Sequence, residues 1–206
     1  MPTKILTFLL ALTAAAPSLA ADILRDDFNS TASGWQNEAA TSERHLGFAV
    51  YTDSGQYQMT PVRDDTFGFI PAPRQADSGN VRIESDLFLY AGIGAGAGGL
   101  ACRFKDHHNF YGFLVRGDAA VVIVKVKDGK VTPLAQGKVE SVMAGAADTR
   151  LTVQCQGDTL RFKVKGGSSL ETRDGDFSEG KSGLVVIGEK MAGTSAVFDD
   201  FVLATP

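Results

Sequence analysis

The chain has little histidine and little cysteine: three and two residues, respectively, among 206. Two of the histidines are adjacent, His107 and His108, and neighbours on a strand point to opposite faces, so the pair is poorly suited to chelating a metal. With histidine this scarce, the sequence does not support a Ser-His-Asp triad or a Cys-His nucleophile. Strong positive charge is also absent, since the net charge is −4. A nucleic-acid partner is therefore not expected.

Long apolar runs are absent except at the start of the chain. Lys4 precedes an uncharged apolar stretch at 5–16, and small residues follow up to Ala21. The stretch is shorter than the ~20 residues that span a bilayer. This pattern is typical of a secretory signal. We predict a cleaved signal peptide at 1–21, a periplasmic or secreted protein with no membrane insertion after cleavage, and a single domain at 22–206.

No amphipathic helix longer than two turns is evident, and two-residue alternation dominates instead. In 81–90 the odd positions include Val81, Ile83 and Leu87, while the even ones include Arg82 and Glu84. Turn signals such as Asp-Gly at 128–129 separate such stretches. We predict ten to twelve short strands from residue 49 onward, forming an all-β antiparallel sandwich.

The two cysteines lie in alternating segments. Leu100, Cys102 and Phe104 are predicted to share one strand face, and Cys155 lies on the apolar face of 151–156. An exported chain with two inward-facing thiols favours a Cys102–Cys155 disulfide. Two buried free thiols are the alternative.

The last predicted strand breaks the alternation. Phe198 and Phe201 have opposite parity, so a regular strand would expose one of the two rings. A β-bulge at Asp199 and Asp200 would bring both rings into the core and turn one carboxylate away from open solvent.

Several segments together resemble a known family. An Asp-Asp-Phe segment at 26–28 and a Gly-Trp pair at 34–35 open the domain, and an Asp-Asp-Phe segment at 199–201 closes it. Strand-like motifs lie between them, at 99–104, 109–113 and 151–160. This arrangement is similar to bacterial exported concanavalin-A-like lectin/glucanase domains, which are laminin-G-like jelly rolls. Relatives of these domains include those labelled 3-keto-disaccharide hydrolase.

The resemblance implies two facing antiparallel sheets with adjacent terminal strands, and a sugar site on a concave sheet or its rim. Asp27, Asp199 and Asp200 would then lie together, and their oxygens could hold a structural Ca²⁺. In the alternative, these carboxylates accept backbone N–H groups at a turn and a bulge. No other cofactor is expected.

Glu84 and Asp86 share a strand face, as do Phe88 and Tyr90. The related glucanases carry an E-x-D-x-x-E pattern on one strand, and here Leu89 replaces its last carboxylate. Retaining hydrolysis needs two carboxyls about 5–5.5 Å apart. Glu84, Asp86 and Tyr90 are the predicted ligand-binding residues, with Glu84 and Asp86 the weak catalytic candidates. The alternative is a solvated face with cross-strand ion pairs to Arg161 or Lys163.

Three functions follow as expectations. The first is an exported, non-catalytic module that binds a glycan or a cell-envelope ligand. The second is a glycoside hydrolase or lyase that uses Glu84 and Asp86. The third is a structural or protein-partner module. A Gly-x-Gly-x-x-Gly match at 94–99 joins two predicted strands rather than a strand and a helix, so we do not expect nucleotide binding.

Overall fold

The computed structural model describes residues 21–37, 46–61, 67–91, 94, 96–139, 145–188 and 193–206. The predicted signal peptide lies outside these residues, apart from Ala21. The described residues contain one short 3-10 helix (Thr31–Ser33) and no α-helix. Their fourteen strands are β1 (Asp22–Asp26), β2 (Leu46–Tyr51), β3 (Tyr57–Pro61), β4 (Phe67–Pro71), β5 (Val81–Tyr90), β6 (Ala97–Asp106), β7 (Asn109–Arg116), β8 (Ala120–Lys127), β9 (Lys130–Lys138), β10 (Ala146–Gln156), β11 (Thr159–Val164), β12 (Ser169–Arg173), β13 (Lys181–Ile187) and β14 (Ser195–Ala204).

The strands form two antiparallel sheets. An eight-stranded sheet has the order β12-β11-β10-β5-β14-β3-β2, with β1 paired to the far half of β14. A six-stranded sheet has the order β4-β13-β6-β7-β8-β9. The all-β sandwich prediction is confirmed, although thirteen strands, β2 to β14, replace the ten to twelve expected. No helix of the described residues is long and apolar enough to cross a membrane.

The main core lies between the two sheets. Alternating residues of β5 and β10, such as Ile83, Leu87 and Val153, meet Phe113 and Leu184 of the six-stranded sheet there. Burial of this apolar surface is the dominant stabilising contribution. The opposite positions of β5 and β10 are mostly polar and face outward, so the eight-stranded sheet keeps one wet face.

A second apolar cluster lies on the outer side of the six-stranded sheet. It includes Phe69, Phe104, Phe110, Leu114 and Val185, all of which are buried. The prediction that Phe104 shares a face with Leu100 and Cys102 is therefore wrong. A bulge follows Cys102, where Arg103 has a positive φ of 53°, and it turns Phe104 to the other side of the sheet.

The bulge predicted in the last strand is confirmed. The pairing of β14 with β5 shifts between Asp199 and Val202, and Asp200 has a φ of 46°. The extra residue reverses the parity of the strand, so both Phe198 and Phe201 are fully buried.

The disulfide between Cys102 and Cys155 is present, with the two Cα atoms 6.8 Å apart. Cys102 belongs to β6 of one sheet and Cys155 to β10 of the other, and both are fully buried. The bond therefore joins the two sheets through the main core. Cys102 precedes the bulge in β6 and Cys155 lies on another strand, so strand parity placed both residues correctly.

Candidate functional site

The outer face of the eight-stranded sheet carries a cross-strand array of polar and aromatic side chains. In the pairing of β14, β5 and β10, Asp199 lies beside Asp86, which lies beside Arg150. Facing residues of neighbouring strands are about 4.5–5.5 Å apart. The long-range pairing of three strands thus brings residues more than 60 positions apart in the sequence into one patch.

Two aromatic rings of β5 lie exposed on this face. Phe88 is 48% exposed and Tyr90 is 57% exposed, whereas the other aromatic side chains of the described residues are buried or half-buried. Phe88 lies between Val197 of β14 and Asp148 of β10. Large rings left in water at neighbouring outward positions favour a stacking surface for a ligand.

Arg150 holds both predicted acidic residues. Its Nη2 donates to Glu84 Oε2 at 3.0 Å, and its Nη1 donates to Asp86 Oδ1 at 3.0 Å. Arg82 donates to the other oxygen of Glu84. Burial opposes the charge of Arg150, but its hydrogen bonds to Asp86 and Glu84 outweigh this effect and raise the guanidinium pKa. The two carboxylates are therefore bound as ion pairs.

Asp199 is the site's carboxyl with a perturbed pKa. Burial raises its pKa above the ordinary value, and the negative charges of Asp200 and Asp86 raise it further. Hydrogen bonds from the Asp200 backbone and the Gln56 side chain oppose the increase without cancelling it. The fold therefore favours the protonated form of Asp199 more than water does for a free aspartate.

These groups surround a surface depression of ≈ 510 Å³. Three carboxylates line it, together with an exposed ring, an amide and two basic side chains: Asp86, Asp148, Asp199, Phe88, Gln56, Arg150 and Lys165. We call it the aromatic depression. A carbohydrate offers an apolar ring face and many hydroxyl donors, and this lining offers the complementary groups.

The three predicted ligand residues lie at different positions relative to the aromatic depression. Asp86 lines the aromatic depression, Glu84 is held beside it by Arg150, and Tyr90 lies one outward position beyond Phe88. The predicted ion-pair partners were wrong. Arg161 bonds Glu171, and Lys163 has no carboxylate partner among the described residues.

Sequence reasoning missed Gln56, Asp148, Arg150 and Lys165. The alternation of 146–156 marks Asp148 and Arg150 as outward residues of their strand. Alternation cannot reveal that β10 pairs with β5, because that pairing joins distant segments. The missing information was the strand order.

The three residues predicted to hold calcium lie near the junction of β1 and β14. Asp27 accepts the N–H of Asn29 and Asp199 accepts the N–H of Asp200, as the alternative expected. No group of three or more acidic, histidine or cysteine side chains within the described ranges could hold a metal ion. The geometry does not favour a calcium site here, and calcium dependence stays a prediction.

Other N-terminal aromatics form a core cluster rather than a stacking surface. Trp35 is buried and its Nε1 donates to buried Asp26 at 2.8 Å. Its ring packs against Phe28, Tyr57 and Phe201. These contacts connect the residues before β2 to the bulged strand β14.

The outer side of the six-stranded sheet carries a different depression, of ≈ 370 Å³. Its lining is mostly aliphatic and includes Leu114, Val122, Val124 and Val131, the last of which is 47% exposed. We call it the apolar depression. Its lining lacks the array of carboxylates that suits hydroxyl groups.

The chain matches no protein-family model and no curated protein. It is similar to solved structures. A carbohydrate-binding module CBM66 from Bacillus subtilis is 22% identical with a TM-score of 0.60, and the match covers 90% of this chain and 95% of that one. A Bacillus subtilis protein of unknown function with a galectin-like fold is 14% identical, with a TM-score of 0.62 and coverage of 91% and 99%.

A GH43 protein from Bacillus licheniformis, BlXynB, is 12% identical with a TM-score of 0.65. The match covers 96% of this chain but 41% of that protein, so this chain spans less than half its length. At these identities the similarities establish the fold, a jelly-roll β-sandwich, and leave function to be argued from the site.

Proposed function

We propose that the protein is an exported glycan-binding module whose binding site is the aromatic depression. The observation that carries this proposal is the exposed Phe88 ring beside the outward carboxylates of Asp86, Asp148 and Asp199. A cell-envelope polysaccharide belongs to the same ligand class. The presence of carbohydrate-binding folds among the similar structures supports the proposal by analogy.

The arrangement suits a sugar because it combines two kinds of contact. The apolar C–H face of a pyranose ring packs on Phe88 and excludes water, as ring surfaces do with other apolar groups. The hydroxyls at the edge of the sugar donate to the carboxylates, and bonds to a charged acceptor are stronger than neutral ones. Tyr90 extends the aromatic surface for a second sugar unit.

Binding is favoured over hydrolysis by the ion pairs of Arg150. A retaining glycosidase needs two carboxyls that face the scissile bond. Here one guanidinium is bonded to both Glu84 and Asp86 at 3.0 Å, so each carboxylate already has a partner within the fold. If the chain were nevertheless a hydrolase or lyase using these residues, Glu84→Gln would abolish its turnover.

The proposed export rests on the signal-like segment at 1–21 and on the disulfide, which is typical of oxidising compartments. The relation to the 3-keto-disaccharide hydrolase domains remains part of this proposal. It adds no residue to the site.

A glycan array probed with the purified chain tests the function, with and without EDTA. We expect at least one glycan to bind, and Phe88→Ala to weaken that binding at least ten-fold because the stacking surface is lost. Val131→Ala is the control, since it removes an exposed apolar group from the other sheet. Sensitivity to EDTA would support the calcium prediction. No bound glycan, or equal binding by Phe88→Ala, would contradict the proposed site.

A protein-partner function is the second candidate, and the apolar depression favours it. Contiguous exposed apolar surface is typical of interaction sites. This function predicts no glycan binding, together with self-association in sedimentation that Val131→Asp removes and Phe88→Ala leaves unchanged.

A further inference from the structure

A second and larger depression, of ≈ 740 Å³, adjoins the aromatic depression on the same face. Its lining contains four basic side chains and no carboxylate: Lys138, Arg150, Lys163 and Lys165, with Thr152 and the turn residues Gly166, Gly167 and Ser168. We call it the basic depression. A chain with a net charge of −4 thus collects four positive charges around one surface feature.

Three of these charges have no ion-pair partner among the described residues. The ammonium groups of Lys138, Lys163 and Lys165 make no ion pair with any carboxylate in the part of the chain that the structure describes. Like charges near one another repel, and an anion placed between them relieves that repulsion. Lys130 and Lys181 also make no ion pair with a described carboxylate, so these three lysines are distinguished by lining one depression together with Arg150.

The turn that borders the basic depression is held in place by hydrogen bonds to β9 and β10. Ser168 Oγ accepts the N–H of Lys138 and donates to the Lys138 carbonyl, both at 2.8 Å. On the other side, Thr149 Oγ1 donates to the Lys165 carbonyl at 2.8 Å. Gly166 adopts a φ of 71°, which glycine tolerates without strain. A fixed turn costs less conformational entropy when a ligand binds.

The two depressions are adjacent. Arg150, Lys165 and Gly166 line both of them, so neighbouring units of one extended ligand can contact both. The backbone N–H of Gly166 makes no hydrogen bond to another described residue and is available as a donor at the boundary. The pair of depressions therefore suits a ligand that is neutral at one position and anionic at the next.

We infer that the ligand is an acidic glycan, in which a carboxylated or sulfated sugar unit binds in the basic depression while a neighbouring unit stacks on Phe88. This inference rests on the proposed function and specifies its ligand class. Carboxylate and sulfate share the relevant chemistry, which is a negative charge with several acceptor oxygens on a sugar ring. Lysine and arginine donors bind both groups by charge-assisted hydrogen bonds.

The test compares matched ligands and matched variants by isothermal titration calorimetry on the full chain. The ligands are a hyaluronan oligosaccharide, in which acidic and neutral units alternate, with its carboxyl-reduced neutral form, and a sulfated glycan with its desulfated form. The variant Lys163→Gln/Lys165→Gln removes two charges from the basic depression. Lys130→Gln/Lys181→Gln removes two exposed charges elsewhere and leaves the net charge of the two variants equal.

We expect at least one acidic ligand to bind at least ten-fold more tightly than its neutral form. Lys163→Gln/Lys165→Gln should remove that preference, the control should retain it, and added NaCl should weaken it because salt screens charges. The carboxylate and sulfate arms then identify the acidic group. Equal binding of acidic and neutral forms, or equal loss in both variants, would overturn the acidic-ligand inference while leaving the proposed function intact. If no ligand binds and Phe88→Ala changes nothing, the proposed function itself has failed.

Discussion

Arg150 decides the chemistry of the candidate site because it binds two carboxylates and borders both depressions. Its guanidinium binds Glu84 and Asp86 while its side chain borders both depressions. Its planar guanidinium presents fixed donors to two carboxylates at once. The two predicted catalytic carboxylates thus hold a guanidinium in place, and the exposed ring of Phe88 beside them is the proposed ligand contact.

The side chains around Arg150 show which residues of the site could be predicted from the sequence. Strand parity correctly placed Glu84, Asp86 and Tyr90 on one wet face, because alternation is a local property of the chain. Parity could not supply Arg150, which lies 64 positions from Asp86. Contacts that depend on strand order are invisible to a pattern read within one strand.

The Asp199 carboxyl should affect stability in a pH-dependent way. Its pKa is raised in the folded state above the ordinary 3.8, so folding favours the protonated form. The associated stability is present below about pH 3.8 and is lost as the pH rises through the folded-state pKa. Asp199→Asn should therefore stabilise the protein against urea at pH 7 and make little difference near pH 3.5.

Asp148→Asn provides the comparison, because Asp148 is an exposed carboxylate on the same face. A stabilisation by Asp199→Asn that is equal at both pH values would contradict a pKa-based origin.

At the scale of single elements, the bulge in β6 shows what alternation alone cannot predict. Arg103 is buried at the bulge, and its guanidinium donates to the carbonyls of Gly79 and Phe177 at 3.0 and 2.8 Å. These bonds tie the segments before β5 and before β13 to the middle of β6. A charged residue within an apolar strand pattern was the available signal of this bulge. The loop carbonyls that it binds could not be identified, because they are distant in sequence.

Arg103→Met should destabilise the protein markedly. It leaves two buried carbonyls without their donors, and an unsatisfied buried group costs roughly 1–3 kcal/mol. We expect a loss on the order of 3 kcal/mol in the free energy of unfolding, measured by urea denaturation. Arg74→Met, at an exposed arginine, should change it by less than about 0.5 kcal/mol. Similar values for the two variants would show that the Arg103 bonds are not stabilising.

The hairpin between β8 and β9 illustrates the opposite situation. Asp128 and Gly129 both adopt positive φ, 52° and 76°, as a two-residue turn between twisted strands requires. The Asp-Gly pair predicted this turn because its signal is confined to two residues. Local signals therefore located turns and strand faces correctly, except after a bulge, where the side chains change face.

For the whole molecule, the disulfide was predictable and the sheet order was not. The inward parity of the two cysteines and the predicted export sufficed to pair Cys102 with Cys155. The placement of β5 between β10 and β14 depends on how two sheets share one core, which no single segment encodes. The fold class therefore followed from the sequence, and the composition of the binding face did not.

Removing the disulfide should lower the stability of the entire sandwich. The bond closes a loop with a sequence separation of 53, for which chain entropy predicts a contribution of roughly 4 kcal/mol. Cys102→Ala/Cys155→Ala should lose about that much free energy of unfolding in urea.

Reduction of the unaltered protein with dithiothreitol should produce a comparable loss, and it supplies the measurement if the double variant does not fold. A change below about 1 kcal/mol in both experiments would mean that the cross-link contributes little beyond the packing around it.

The side-by-side placement of the aromatic and basic depressions gives the binding face a direction. A polysaccharide also has a direction, because its reducing and non-reducing ends differ. If an acidic unit must meet the lysines while its neighbour meets Phe88, reversing the polymer would place each unit against the wrong group. Successive copies of the protein bound along one strand of polymer would then all point the same way, as a polar, head-to-tail row.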